Sequence, residues 1–418
     1  MSLVIVFSIF MLLGCNPQPE SQGGIILDLW ALGSEGERVR ALLPAFEQQN
    51  PGVRVRVQQI PWSAAHEKLL TAYVGGTLPD VFQLGNTWLA EFVTLGALLP
   101  LDAVLPQAAQ ADIFPGVLAA HRLQGHLYAL PWYVDTRLLF YRADALQQAG
   151  VAQAPQTWSA WVDTLRRLRA HSGHAPLVLP FSEWQTLIAL GLQQQAALLR
   201  EDGRYADFSH PAFRDAFRFY IQLFREGLAE VGGEQRIGNL YQAFAEGRVL
   251  MLVSGPWNLG EFERRLPPAV QASWATAPLP APDGAPFPGR SVAGGASLAI
   301  NAHTPHAQAA QALLAYLAEP DVQLAFYRAT GDLPVRMSAW TLGDLRQSPR
   351  IDAFWQQLQH AQGVPQVAEW ERIASALMRH AERAARGLVS EEQALADINQ
   401  EADRILSKRR WMLEQQKP

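Results

Sequence analysis

The first periodic pattern in the chain begins at Ile25, where an apolar run to Trp30 reads as a strand. Ala31 to Ser34 then turn into a helix beginning near Glu35 or Gly36. Its apolar face uses Val39, Leu42, Leu43 and Phe46, and Asn50-Pro51-Gly52 ends it. Val53, Val55 and Val57 alternate with Arg54, Arg56 and Gln58, which predicts a half-exposed strand. A strand, helix, strand opening is α/β, and in open parallel sheets ligands meet the loops at the carboxyl ends of strands. Glu35 stands in such a loop. The position equally suits an acid stabilised by a helix N-terminus, and the pattern leaves both roles open.

Further on, a helix from about Ser63 to Val74 precedes a strand from Val81 to Leu84. Gly85-Asn86-Thr87-Trp88 opens the next loop, where Asn86 offers a hydroxyl both donor and acceptor and Trp88 reads as packing. The run from Gly125 to Arg142, GHLYALPWYVDTRLLFYR, carries an aromatic pair and an acid at the midpoint of an otherwise apolar strand pattern. One reading is a strand that leaves one lobe and enters another, exposing Trp132, Tyr133 and Asp135 to a cleft. The other is that Trp132 and Tyr133 are core residues with satisfied polar tips.

In the second half, Thr157 is placed as the N-cap of a helix, and Leu177 to Leu179 form a short strand before Phe181-Ser182-Glu183-Trp184-Gln185. An acid and an aromatic at a strand-to-helix junction, Glu183 and Trp184, fit a cleft rim. Val249 to Val253 read as a buried strand running into Ser254-Gly255-Pro256-Trp257-Asn258. Residues 276–291 are rich in Pro and Gly, a connector, and Gly294-Gly295 before the next strand lets backbone approach a ligand closely. The C-terminal region reads as packing helices, with apolar spacing at Ile373, Leu377 and His380 and at Leu395, Ile398 and Ile405.

Composition changes this picture in three ways. At 418 residues, 49% hydrophobic and 17% charged, the chain can build two cores. A net charge of -5 without a basic cluster gives no electrostatic case for nucleic acid. The single cysteine, Cys15, excludes an intramolecular disulfide. It follows the apolar run LVIVFSIFMLL and sits in Leu12-Leu13-Gly14-Cys15, which resembles a lipobox, where lipoprotein signals are cleaved and the cysteine is lipidated. No Lys or Arg precedes Arg38, so the usual basic n-region is missing: either the true start lies elsewhere or the signal is atypical. An ordinary secretory signal or a buried N-terminal strand with an incidental cysteine is the alternative.

Catalytic and metal motifs are thin. Glu35, Asp135 and Glu183 could supply a glycosidase pair, but sequence does not give their separation. Ser297 lacks the final glycine of a nucleophile elbow, no phosphate loop exists, and His171/His174 and His303/His306 lack a third metal ligand. No cofactor or metal site is expected.

Several motifs recur in a fixed order. They are Gly125-x-x-Tyr128-x-x-Pro131-Trp132, Gly76-x-x-Pro79-Asp80-Val81, Phe244-x-x-Gly247 running into Met251, Gly255-Pro256-Trp257, Gly294-Gly295 before Leu298-x-Ile300, Gly331-Asp332-Leu333-Pro334-Val335-Arg336, and Val364-Pro365 through Trp370. Together they resemble family 1 of the extracellular solute-binding proteins, the carbohydrate receptors of bacterial ABC importers that include maltose-binding protein. The resemblance covers nearly the whole chain after residue 25. It implies an α/β, two-lobed periplasmic-binding-protein fold of type II with a multi-segment hinge and the ligand cleft between the lobes. Residues 1–15 would be signal peptide and 16–24 a flexible leader. Residues 25–132 with 291–333 would form lobe 1, and 136–288 with 337–418 lobe 2, crossing near 132–136, 286–294 and 332–338.

The resemblance implies that Trp257 stacks on a sugar ring, that an acid at Glu35 receives sugar hydroxyls, that Gly294 and Gly295 give backbone contacts, and that an aromatic at Trp370 faces the cleft. Sugar recognition needs apolar platforms and charged hydrogen-bonding groups. The expected platforms are Trp132, Trp184, Trp257 and Trp370; the expected polar contacts are Glu35, Asn86, Asp135 and Arg336, with Tyr133 and Glu183 beside them. The implied protein is a monomeric, non-enzymatic receptor outside the cytoplasm, anchored by lipid at Cys15. It would bind sugar by cleft closure and deliver it to a permease served by a separate ATPase. Two alternatives stay open: a receptor of this fold for a charged solute such as glycerol phosphate or a polyamine, and a secreted carbohydrate-active enzyme.

Overall fold

The computed structural model describes residues 24–231 and 239–415. Cys15 and the leader, on which the lipid-anchor expectation rests, lie outside the described residues. Two main sheets organise the chain. The first has six strands, in spatial order Leu333–Pro334, Leu130–Asp135, Gly294–Ile300, Val81–Gly85, Ile25–Leu32 and Val53–Ile60. The second has four: Trp274–Ala277, Leu138–Arg142, Met251–Ser254 and Leu177–Val178.

The opening unit forms as its pattern predicts. Ile25–Leu32 pairs in parallel with Val53–Ile60 and with Val81–Gly85. The intervening helix is broken, with Glu35–Arg38 and Leu43–Gln49 joined through a single 3-10 turn. Pro44 explains the break, because it lacks the N–H that a continuous helix needs and its ring crowds the preceding turn. Both parallel neighbours end their strands on the same edge, which places Glu35, Trp62 and the Asn86–Trp88 turn together there.

The chain passes between the sheets where Leu130–Asp135 gives way to Leu138–Arg142, so Thr136 and Arg137 form the link. It returns between Ala277 and Gly294, and it leaves again after Pro334. The first two passages lie side by side: Thr136 Oγ1 donates to Val292 O (2.8 Å), while Ser291 Oγ accepts from Arg137 N (3.2 Å) and donates to Arg137 O (2.8 Å). Trp132 is the extra residue where this strand slips against its neighbour: Tyr133 faces Ala296 and Pro131 faces Ser297. Such a bulge re-aims the side chain it carries.

Gly294 and Gly295 are required by their surroundings. Gly295 has φ +112°, and a Cβ there would lie 2.3 Å from Tyr133 O; one on Gly294 would lie 2.2 Å from Asp135 Oδ1. The pair thus lets two strands meet where an acid must also fit. Among the described residues no helix is long and apolar enough to cross a membrane.

Candidate functional site

A cavity of about 800 Å³ lies between the loops of the two sheets. That is within the range of about 300–1,000 Å³ typical of small-ligand pockets. From the six-stranded side it is walled by Glu35, Trp62, the Gly85–Trp88 turn, Tyr133 and Asp332. From the four-stranded side come Glu183, Trp184, Trp257, Glu261, Arg264 and Glu371, with Asp135, Arg137, Gly294 and Gly295 at the junction.

Glu35 is buried and anchored rather than loose. It accepts hydrogen bonds from Tyr133 Oη (2.7 Å) and Trp62 Nε1 (3.2 Å). Tyr133 in turn is contacted by Gln83 Nε2 at 3.4 Å. Loss of water around Tyr133 and the charge of Glu35 push its hydroxyl well above the usual phenol range, so it stays a donor. Half-buried Asp332 is pushed up to about 8, first by desolvation and then by the charges of Glu35 and Asp135, against a hydrogen bond from Thr330.

Because the unfolded carboxyl titrates near 3.8, the folded chain holds an extra proton between that pH and about 8, and stability falls as pH rises through this window. Asp332→Asn is expected to flatten that fall and to raise the melting temperature at pH 8, measured by thermal unfolding at pH 5 and pH 8. Equal slopes in both proteins would contradict the assignment.

Across the cavity, the buried Arg137 guanidinium reaches Asp135 Oδ1 (3.0 Å) and Glu183 Oε2 (3.2 Å), and it lies 4.5 Å from the Trp257 ring centre. Trp257 begins the helix Trp257–Arg265 directly after the strand Met251–Ser254. Its six-membered ring fills the space over Gly255, where a Cβ would come within 1.9 Å of Cζ3. The Gly-Pro-Trp order therefore has a steric reason. Trp62 and Trp88 form an edge-to-face pair at 5.7 Å on the opposite wall. Thr87 Oγ1 donates to Glu371 Oε1, a hydrogen bond between the two sides of the cavity.

Of the residues singled out from sequence, Glu35, Asn86, Tyr133, Asp135, Glu183, Trp184, Trp257, Gly294 and Gly295 line this cavity. Three do not. Trp132 is 1% exposed and stacks on Phe326 at 4.3 Å, because the bulge turns it into the core while Tyr133 faces the cavity. Arg336 bonds Asp112 Oδ2 (2.8 Å) and Ala318 O (3.1 Å), since the chain turns into the helix Met337–Leu342 and carries it away from the cavity. Trp370 is 1% exposed and packs edge-on beneath Trp184 at 5.5 Å, supporting the rim without forming it.

Asn86 lines the cavity, yet its amide is engaged: Nδ2 donates to Gly294 O (3.0 Å), and Oδ1 accepts from Ser297 Oγ (2.6 Å) beside His121. Burial pushes His121 down to about 4, so it is neutral at pH 7. Trp132→Ala is expected to cost about 3–5 kcal/mol of stability, read by denaturant unfolding, as for other fully buried aromatics. A loss below about 1 kcal/mol would contradict the core placement.

Sequence reasoning missed Trp62, Trp88, Arg137, Asp332 and Glu371. Trp62 follows the parallel strand Val53–Ile60 at its carboxyl end, the same signal that drew attention to Glu35. Asp332 stood inside a motif from which only Arg336 was drawn.

A family model described as bacterial extracellular solute-binding protein matches residues 30–324. The sugar-binding protein MalE from Xanthomonas citri is 41% identical, with a TM-score of 0.89 over 94% of this chain and all of that one. The GacH receptor of Streptomyces glaucescens has the same fold, with a TM-score of 0.80 at 24% identity over 92% of this chain and 98% of that one. A galactooligosaccharide-binding protein of Bacillus subtilis is 23% identical over 92% of this chain and 91% of its own length.

Proposed function

Since the chain belongs to the bacterial extracellular solute-binding proteins, we propose that it is the sugar receptor of an ABC importer, taking its ligand in the cavity between the two sheets. The observation that carries this reading is the pairing of indole faces with anchored carboxylates on opposite walls of one cavity: Trp62 and Trp88 beside Glu35, Trp184 and Trp257 beside Glu183. Pyranoses offer C–H faces to such rings and hydroxyls to such acids. Named relatives that bind sugars, including the Xanthomonas citri and Bacillus subtilis proteins, support the same class.

Trp257, Trp184, Trp62 and Trp88 serve as platforms, and Glu35, Asp135, Glu183 and Asp332 as hydrogen-bonding groups. Sugar touching both walls favours the closed arrangement by its differential affinity, and that shape is what a membrane permease reads. The receptor acts outside the cytoplasm as a monomer, held at the membrane by lipid on Cys15 and without catalytic turnover.

One observation favours a second reading. Glu35, Asp135, Glu183, Glu261 and Glu371, with Asp332 protonated below about pH 8, face only Arg137 and Arg264 among the cavity residues, a balance that suits a polyamine and disfavours a phosphate ester. The test is a thermal-shift screen of residues 16–418 against glucose, maltose, maltotriose, galactobiose, N,N'-diacetylchitobiose, glycerol 3-phosphate and spermidine. Stabilisation by a neutral saccharide supports the sugar receptor; stabilisation by spermidine alone replaces it with the second reading. Release of glucose from maltotriose by the purified protein would contradict the non-enzymatic assignment.

A further inference from the structure

Most cavity residues are held by one sheet or the other, but Arg137 belongs to the passage between them. Its backbone is locked to the returning passage by both hydrogen bonds to Ser291. Its guanidinium then spans three separate segments. Asp135 ends a strand of the six-stranded sheet, Glu183 lies in the loop after Leu177–Val178 of the four-stranded sheet, and Trp257 follows Met251–Ser254. The side chain is only 6% exposed, so little of it is left to touch a ligand.

From this geometry we infer that Arg137 is the positioning residue of the cleft, whose planar guanidinium backs the Trp257 indole and fixes Asp135 and Glu183, so that platform and acids meet a sugar in one prearranged geometry. The inference rests on the reading of the cavity as a sugar site. Three physical points carry it. A guanidinium 4.5 Å over the centre of an indole restrains the ring through cation–π attraction, which is stronger where water is excluded. The same ring lies directly against Gly255, in the space a Cβ there would occupy, so Trp257 has a second contact that fixes its place. Finally, two differently directed guanidinium nitrogens, Nη1 to Asp135 and Nε to Glu183, hold the two carboxylates at once, a job that a lysine's point charge does less well. An aromatic platform whose angle is set before the ligand arrives avoids the ordering cost at binding.

The test compares wild type with Arg137→Lys, which keeps a positive charge between the two acids and so preserves the fold, and with Arg137→Gln. Two readouts are taken. One is the affinity for maltotriose by titration calorimetry. The other is the fluorine NMR line of Trp257 in ligand-free protein labelled with 5-fluorotryptophan, assigned by its loss in Trp257→Phe. Arg137→Lys is expected to bind at least tenfold more weakly at an unchanged melting temperature, and its Trp257 line is expected to shift and broaden; Arg137→Gln should exceed it on both counts. Wild-type affinity together with an unmoved Trp257 line in Arg137→Lys would overturn the inference. If wild type binds no sugar, the sugar reading itself fails, and the Trp257 line alone then decides whether Arg137 positions the indole.

Discussion

Trp257→Ala is expected to abolish the stabilisation that a bound sugar gives, with the melting temperature of the ligand-free protein nearly unchanged. The indole is half-buried, lines the cavity and packs against Arg137 and Gly255. Removing it takes away a large apolar face and the ring-specific contribution of about 0.5–1.5 kcal/mol beyond area alone. A loss of about 3 kcal/mol corresponds to roughly a hundredfold in affinity, enough to erase a thermal shift at millimolar sugar. The fold is spared because the ring is not part of either main core cluster. A mutant stabilised as strongly as wild type would remove Trp257 from the site, and a collapsed ligand-free melt would make it a core residue instead.

The second large effect falls on the fold. Gly295→Ala is expected to destabilise the protein by roughly 3 kcal/mol, the sum of a side chain forced into a left-handed conformation and an overlap with a neighbouring strand. The methyl group would meet a backbone carbonyl, Tyr133 O, which cannot swing aside. Gly294→Ala meets the Asp135 carboxylate instead, so a side-chain rotation can relieve part of it at the expense of the Asp135 to Arg137 ion pair. Denaturant unfolding should therefore rank Gly295→Ala as the more costly of the two. A Gly295→Ala loss under about 0.5 kcal/mol would contradict the strand geometry at this junction.

Much of this molecule was legible from pattern. The alternation in Val53 to Val57, the glycine pair before Leu298 and the order of the motifs led to the α/β class and to nine of the cavity residues. What escaped has identifiable causes. The period-two rule predicts that one of Trp132 and Tyr133 faces the core, but a bulge decides which, and a bulge depends on the partner strand at Ala296 and Ser297. Arg336 and Arg137 look alike as single arginines near strand ends. Only the three-dimensional positions of Asp112, and of Asp135 with Glu183, separate the one held away from the cavity from the one buried in its wall. Trp370 and Trp184 likewise differ only in which stands in front, a matter of how the helix Trp370–Ala385 docks. Asn86 is a different case: it lines the cavity, but both ends of its amide are committed to Gly294 and Ser297.

The most direct test of the central claim is the difference electron density of crystals grown with the sugar that gives the largest thermal shift. A pyranose ring is expected against Trp257, with hydroxyls reaching carboxyl groups on both walls, Glu35 or Asp332 on one and Glu183 on the other. Density for the sugar outside this cavity, or touching one wall only in a fully occupied site, would contradict it.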